Sequence, residues 1–184
     1  MPVCARCLSE GGTGEHCLRH PGERAHAAFV YDEAVALLVH AIKFGSRPSL
    51  ARAFAPALAS ALPARWQRPA LVTAVPLHPT RRRERGYDQA AVLGEALADA
   101  LGAAFSGALL ERVRETRAQS SLRASERRRN VQGAFRVRHP SWVAGRRVLV
   151  VDDVLTTGAT LVEAMATLRA AGARTAGAAL AWAQ

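Results

Sequence analysis

The run VLVVDDVLTTGATL, Val148 to Leu161, constrains the fold more than any other stretch of the chain. Val148, Leu149, Val150 and Val151 read as a buried strand, and the residues from Thr160 onward read as a helix. Between them stand two adjacent acids, Asp152 and Asp153, and the turn Thr156, Thr157, Gly158, Ala159, Thr160. Unpaired backbone N–H groups at a helix start, aided by the helix dipole, suit a phosphate monoester. Gly158 allows the loop backbone to approach the phosphate closely, and the threonine hydroxyls add donors. The acidic pair suits sugar hydroxyls or a hard divalent cation. A plain strand-to-helix turn, with Thr160 as N-cap and two solvated aspartates, accounts for Thr160 and Gly158. It leaves two adjacent carboxylates at the end of a buried strand unexplained, since like charges placed together cost energy unless a cation or donors compensate.

The rest of the body alternates in the same way. Strands are expected at Ala25–Tyr31, Leu71–Val75, Ala134–Arg138, Arg147–Val151 and Thr175–Ala181. Helices are expected from Ala34 to Gly45, Pro48 to Leu62, Gln89 to Leu101 and Thr160 to Ala171. Arg112 to Asn130 is highly charged and reads as a loop, and Pro140 to Gly145 as a turn. Such alternation predicts an α/β fold, a parallel sheet covered by helices on both faces, with ligands at the carboxyl ends of its strands.

The first tenth of the chain reads differently. Cys4-x-x-Cys7 and Cys17-x-x-His20 form two half-sites for one tetrahedral ion, three sulfurs and one imidazole nitrogen. A structural zinc knuckle over residues 1–24 is expected, ahead of a body spanning 25–184, with the ion supplying folding energy the segment lacks. His16 lies near enough to compete with His20 as fourth ligand. Free thiols, or a Cys4–Cys7 redox pair, are the other readings.

Charge narrows the partners. The net charge of +10 favours polyanions, and it is clustered: Arg81, Arg82, Arg83 and Arg85 form one knot, Arg123, Arg127, Arg128 and Arg129 another. Apolar stretches are interrupted well before membrane-spanning length, and Met1 to Cys7 lacks a signal-peptide layout, so a cytoplasmic protein with no membrane insertion is expected.

The strand–DD–TTGAT–helix unit resembles the phosphoribosyl-diphosphate motif of type I phosphoribosyltransferases. Tyr31, HAIKFG (His40–Gly45), VPLHPTRRRERGYDQA (Val75–Ala90), RVRETRAQSSL (Arg112–Leu122) and RRRNVQGAF (Arg127–Phe135) precede it in order. With the knuckle, that layout resembles the ComF competence-protein family, including its GntX-like members. The resemblance implies a type I phosphoribosyltransferase-like domain in which Asp152 and Asp153 meet the ribose hydroxyls, directly or through Mg²⁺. Thr156, Thr157, Gly158, Ala159 and Thr160 would cradle the 5-phosphate. Leu77 and His78 would lie in the pyrophosphate loop, with Arg81 and Arg85 near the leaving phosphates. Gln119, Arg127 and Asn130 would belong to a mobile loop closing the site. Two departures stand out: Asp88 occupies a position where the family pattern has an amide, and His20 one where it has cysteine. No segment is assigned to reading a nucleobase, so two functions stay open, with a ligand-sensing regulator as a third. One is a protein that binds phosphoribosyl diphosphate or a related sugar phosphate and handles single-stranded DNA alongside other competence proteins. The other is a phosphoribosyltransferase with an unidentified acceptor.

Overall fold

The apolar residues of the strand Arg147–Leu155 alternate between two apolar layers, one on each face of the sheet. In the computed structural model, residues 2–5, 7, 24–44, 48–114 and 124–183 are described, with the side chains of Lys43, Phe44, Arg81, Arg85, Arg127 and Arg128, among others, outside that description. The strands are β1 (Pro2–Cys4), β2 (Arg24–Val30), β3 (Leu71–Ala74), β4 (Ala104–Phe105), β5 (Leu110–Arg112), β6 (Phe135–Val137), β7 (Arg147–Leu155) and β8 (Arg174–Trp182). The helices are α1 (Glu33–Phe44), α2 (Pro48–Ala53), α3 (Ala55–Ala61), α4 (Pro79–Arg85), α5 (Gln89–Leu101), α6 (Ala124–Val131) and α7 (Ala159–Ala170).

Six strands form the main sheet in the order β1-β2-β8-β7-β3-β4; the five from β2 to β4 are mutually parallel and β1 runs antiparallel to β2. Val148 and Val150 point into one core with Leu161, Met165 and Leu168 of α7. Leu149 and Val151 point into the other, with Val39, Leu58, Leu93 and Leu97 from α1, α3 and α5. A strand buried on both faces reads as a continuous apolar run rather than an alternating one, which is why VLVV was legible. Gly177 is fitted to this packing: a Cβ there would lie 2.4 Å from Leu161 Cδ2. The pair β5–β6 forms a separate two-stranded sheet that adds Leu110 and Phe135 to the α7-side core. The expected parallel sheet flanked by helices is what the chain forms.

Three local expectations are corrected. The helix expected over Pro48–Leu62 is two helices, because Pro56 at the start of α3 has no N–H to donate and its ring would collide with the Arg52 carbonyl. The segment Arg112–Asn130 is not wholly loop: Arg112 ends β5, and α6 runs from Ala124. The strand expected to stop at Val151 continues to Leu155, with Asp152 paired to Ala179 and Val154 to Ala181. The N-cap of α7 is Gly158, so the plain-turn alternative capped by Thr160 does not describe this end, and Thr160 lies inside the helix. No helix among the described residues is long and apolar enough to cross a membrane.

Candidate functional site

The chain leaves β3 on one side to reach β4, while β7 flanks β3 on the other, so the connections diverge at the β3–β7 pair. In open parallel sheets the ligand crevice lies beyond the carboxyl ends of the strands at such a point. Two loops meet there, Val75–His78 after β3 and Thr156–Gly158 after β7. The last bond between the strands runs from the Val75 N–H to the Val151 oxygen at 2.8 Å. From Asp152 onward, β7 outruns β3 while staying paired to β8 as far as Leu155.

Asp152 and Asp153 sit on that extension, both partly exposed. Asp152 Oδ1 accepts from the Asp153 N–H at 2.8 Å, and Asp153 Oδ1 from the Val154 N–H at 2.7 Å. These short bonds fix both carboxylates against the backbone. Carboxylate oxygens are the hard donors a divalent cation takes. Successive side chains of a strand point to opposite faces, however, and among the described residues no group of three or more His, Cys, Asp or Glu is placed to hold a metal ion.

The turn into α7 carries two further features. Thr157 Oγ1 is buried and has no hydrogen-bond partner among the described residues. Gly158 has φ 69° and ψ −2°, and a Cβ on it would lie 2.6 Å from the Ala5 oxygen and 3.0 Å from Ala5 Cα. The backbone that approaches Gly158 is thus the chain's own, from the turn between Cys4 and Cys7. Ala5 is fully buried in the α7-side core. Cys4 is buried as well, and the Cys7 N–H donates to Cys4 Sγ at 3.4 Å. Two thiols three positions apart in a tight turn are the residue pair that forms one half of a tetrahedral metal site. Cys17 and His20 lie outside the described residues.

On the β3 side, Leu77 and His78 end the Val75–His78 loop, directly before α4. His78 caps α4, its Nδ1 accepting from the Thr80 N–H at 3.4 Å. Arg81 and Arg85 are placed on α4, a short helix where the sequence suggested no secondary structure. Asp88 organises this region more than the sequence indicated. One carboxylate oxygen accepts from the Leu77 N–H at 3.1 Å and the other from the Ala91 N–H at 3.2 Å, tying the loop to the start of α5. Burial pushes its pKa above the usual 3.8, and the charge of Asp153 adds to this; the two amides and Arg82 pull the other way. An amide at this position offers only one acceptor oxygen, so the aspartate is the residue that satisfies both N–H groups. The preceding Tyr87 hydroxyl donates to the Ile42 carbonyl, which ties the His40–Gly45 motif to this region.

The expected mobile loop is described only at its ends. Arg114 Nη2 donates to the carbonyls of Asn130 at 2.9 Å and Gln132 at 2.7 Å, clasping the two ends together. Arg112 Nη1 donates to the Pro76 carbonyl at 3.3 Å, and its guanidinium lies 5.4 Å from the Phe135 ring centroid. The base of the segment is therefore anchored to the Val75–His78 loop. Arg127 lies on α6, and Gln119 is outside the described residues. Arg112, which the sequence offered only as a loop boundary, links this segment to the Val75–His78 loop.

The phosphoribosyl transferase domain family matches residues 87–184. The DNA utilization protein YhgH of Salmonella typhimurium is 37% identical over 177 residues, covering 94% of this chain and 74% of its own length. Competence protein F of Haemophilus influenzae is 31% identical, with 94% of this chain and 80% of its own covered. Competence protein ComFC of Streptococcus pneumoniae is 32% identical, with 86% and 67% covered.

Proposed function

The chain belongs to the phosphoribosyl transferase domain family, among the DNA utilization and competence proteins, and from this we propose that it binds phosphoribosyl diphosphate, or a sugar phosphate of the same chemistry, together with Mg²⁺. The observation that carries the reading is the edge of β7 beyond β3. There two carboxylates stand beside the Val75–His78 loop, with the start of α7 following. Asp152 and Asp153 hold the ribose hydroxyls or the cation. The Thr156–Thr160 turn takes the 5-phosphate, and the Leu77–His78 loop with Arg81 and Arg85 takes the pyrophosphate. Mg²⁺ supplies charge neutralisation on the pyrophosphate oxygens. A buried hydroxyl without a partner costs about 1–3 kcal/mol, and a phosphate oxygen bound to Thr157 would offset that cost. Structural zinc at Cys4, Cys7, Cys17 and His20 belongs to the same reading, since the Cys4–Cys7 turn packs on the loop that takes the phosphate. The names of the relatives, competence and DNA utilization, support a role in handling single-stranded DNA.

Calorimetric titration of the zinc-loaded protein with phosphoribosyl diphosphate tests the site. Saturable binding strengthened by Mg²⁺ and abolished by Asp152→Asn with Asp153→Asn is expected. Thr157→Val should weaken binding by about fivefold to tenfold through one lost hydrogen bond, yet raise stability by about 1 kcal/mol, because the unpartnered hydroxyl is gone. Binding that survives both aspartate changes would remove the site from this loop.

A further inference from the structure

The end of the sheet opposite the candidate site carries a second, differently built surface. β7 is nine residues long, so its two ends stand about 26 Å apart at ~3.3 Å per residue. At the amino end, arginines gather from three separate segments. Arg65 and Arg68 precede β3, Arg146 and Arg147 enter β7, and Arg174 enters β8; all five are exposed. Backbone bonds hold these segments side by side. The Arg174 N–H donates to the Arg146 carbonyl at 2.8 Å, the Gly145 N–H to Gly172 at 2.9 Å, and the Ala70 N–H to Arg147 at 3.0 Å. The Arg147 guanidinium spans to the carbonyls of Arg65 at 3.1 Å and Arg68 at 2.8 Å. Among the described residues no carboxylate pairs with any of the five, whereas Arg136 and Arg138 are both paired to Glu111.

The same rim presents an aromatic surface. Trp142 is 52% exposed, and its ring stacks on His139 with centroids 4.4 Å apart and planes at 25°. Trp142 lies one short turn before Arg146, whose N–H donates to the Val143 carbonyl at 3.0 Å. Guanidinium groups without carboxylate partners attract a phosphate chain, and an exposed indole beside them offers a face for an unpaired base. A duplex keeps its bases stacked on one another, so the indole adds nothing to duplex binding.

We propose that this arginine rim, with Trp142 stacked on His139, is a docking surface for single-stranded nucleic acid, separate from the sugar-phosphate crevice. The inference rests on the DNA-handling part of the function proposed above and gives it a location away from the Arg81–Arg85 and Arg123–Arg129 knots. A strand bound at the rim leaves the crevice open, so both ligands bind the same molecule at once.

Fluorescence anisotropy of the full chain with a labelled oligothymidylate tests this. The wild type should bind at low salt, and saturating phosphoribosyl diphosphate should not displace the strand. Arg146→Glu with Arg174→Glu should weaken binding and flatten the log–log salt dependence by about 0.7 for each phosphate no longer neutralised. Arg146→Lys with Arg174→Lys, which keeps the charge, should retain binding. Trp142→Ala should lose about tenfold in affinity for the single strand and nothing for a duplex. If the wild type binds but the charge-reversed protein, with an unchanged unfolding midpoint, binds as tightly, the rim is not the site and the DNA-handling reading stands. If the wild type does not bind oligothymidylate even at low salt, that reading falls and the rim falls with it. Equal retention of heparin and oligothymidylate, indifferent to Trp142→Ala, would make the rim a general polyanion surface and overturn the single-strand assignment.

Discussion

Replacing Gly158 by alanine separates two costs that the structure superimposes at one residue. With φ 69° and ψ −2°, an alanine here pays about 1–2 kcal/mol for the left-handed conformation alone. Its Cβ would also fall 2.6 Å from the Ala5 oxygen, 3.0 Å from Ala5 Cα and 3.1 Å from Ala5 Cβ. Two of these are backbone atoms that no rotamer change can move away, so overpacking adds about 1–3 kcal/mol. Gly133 supplies the reference: its φ is 65°, and a Cβ there meets nothing within 4 Å. Gly133→Ala should therefore cost about 1–2 kcal/mol, and Gly158→Ala about 2–5 kcal/mol. The gain in unfolded-state order on changing glycine to alanine is common to both and cancels in the comparison. Urea denaturation of the two variants beside the wild type measures the difference. Relief of the clash must displace Ala5, which lies between the two thiols, so if the proposed zinc sits there, its faster release to a chelator should accompany Gly158→Ala and not Gly133→Ala. Costs that agree within about 0.5 kcal/mol, with equal zinc release, would refute the contact between the amino-terminal turn and the phosphate loop.

Two pH profiles follow from buried titratable groups. His26 on β2 is 3% exposed, its Nε2 has no hydrogen-bond partner among the described residues, and burial, reinforced by positive charges including Arg65 and Arg24, lowers its pKa from 6.5 to about 4. The unfolded chain takes up the proton first, so stability is lost as pH falls below 6.5, by about 2 kcal/mol at pH 5. His26→Gln should remove that dependence; denaturation profiles that stay parallel from pH 7.5 to 5 would count against it. Asp88 shifts the other way, its folded pKa lying above 3.8, so the folded state holds the proton longer and stability drains as pH rises through that window. The stability advantage of the wild type over Asp88→Asn should therefore narrow from pH 4 to 7, and a gap that widens in urea titrations would reverse the assignment.

The β7–α7 unit was legible in the sequence because its signals are long: four apolar residues in sequence, then a helix of helical periodicity ended at Gly172. The same holds for α5, which runs from Gln89 to Leu101 with Asp88 and Gly102 as caps. Short elements carried no such signal. β4 has two residues, and α4 is a basic run with no apolar face, set by the His78 cap and by Gly86 in the left-handed region. The extension of β7 through the acidic pair was hidden for another reason. Aspartates read as the end of a strand, yet the hydrogen bonds to β8 continue along it to Leu155, and a neighbouring strand, not the local sequence, keeps it extended.

The candidate residues of the site were read mostly from their own motif, whereas the groups that fix their positions come from elsewhere in the chain. Asp88 holds the Leu77 amide across eleven positions, Arg112 holds the Pro76 carbonyl from β5, and Ala5 meets Gly158 from near the start of the chain. Asp88 and Arg112 fall inside the quoted motifs and Ala5 between the two thiols, but nothing in those patterns marks any of the three as a support for the loops. Asp88, a departure from the amide of the family pattern, has its reason in two N–H groups from opposite sides, one on each of its oxygens. Loops that carry ligands have little core of their own and must be braced from outside. The bracing at this crevice comes from three remote segments. A substitution at Asp88, Arg112 or Ala5 should therefore act on the Val75–His78 and Thr156–Gly158 loops before it acts on the sheet beneath them.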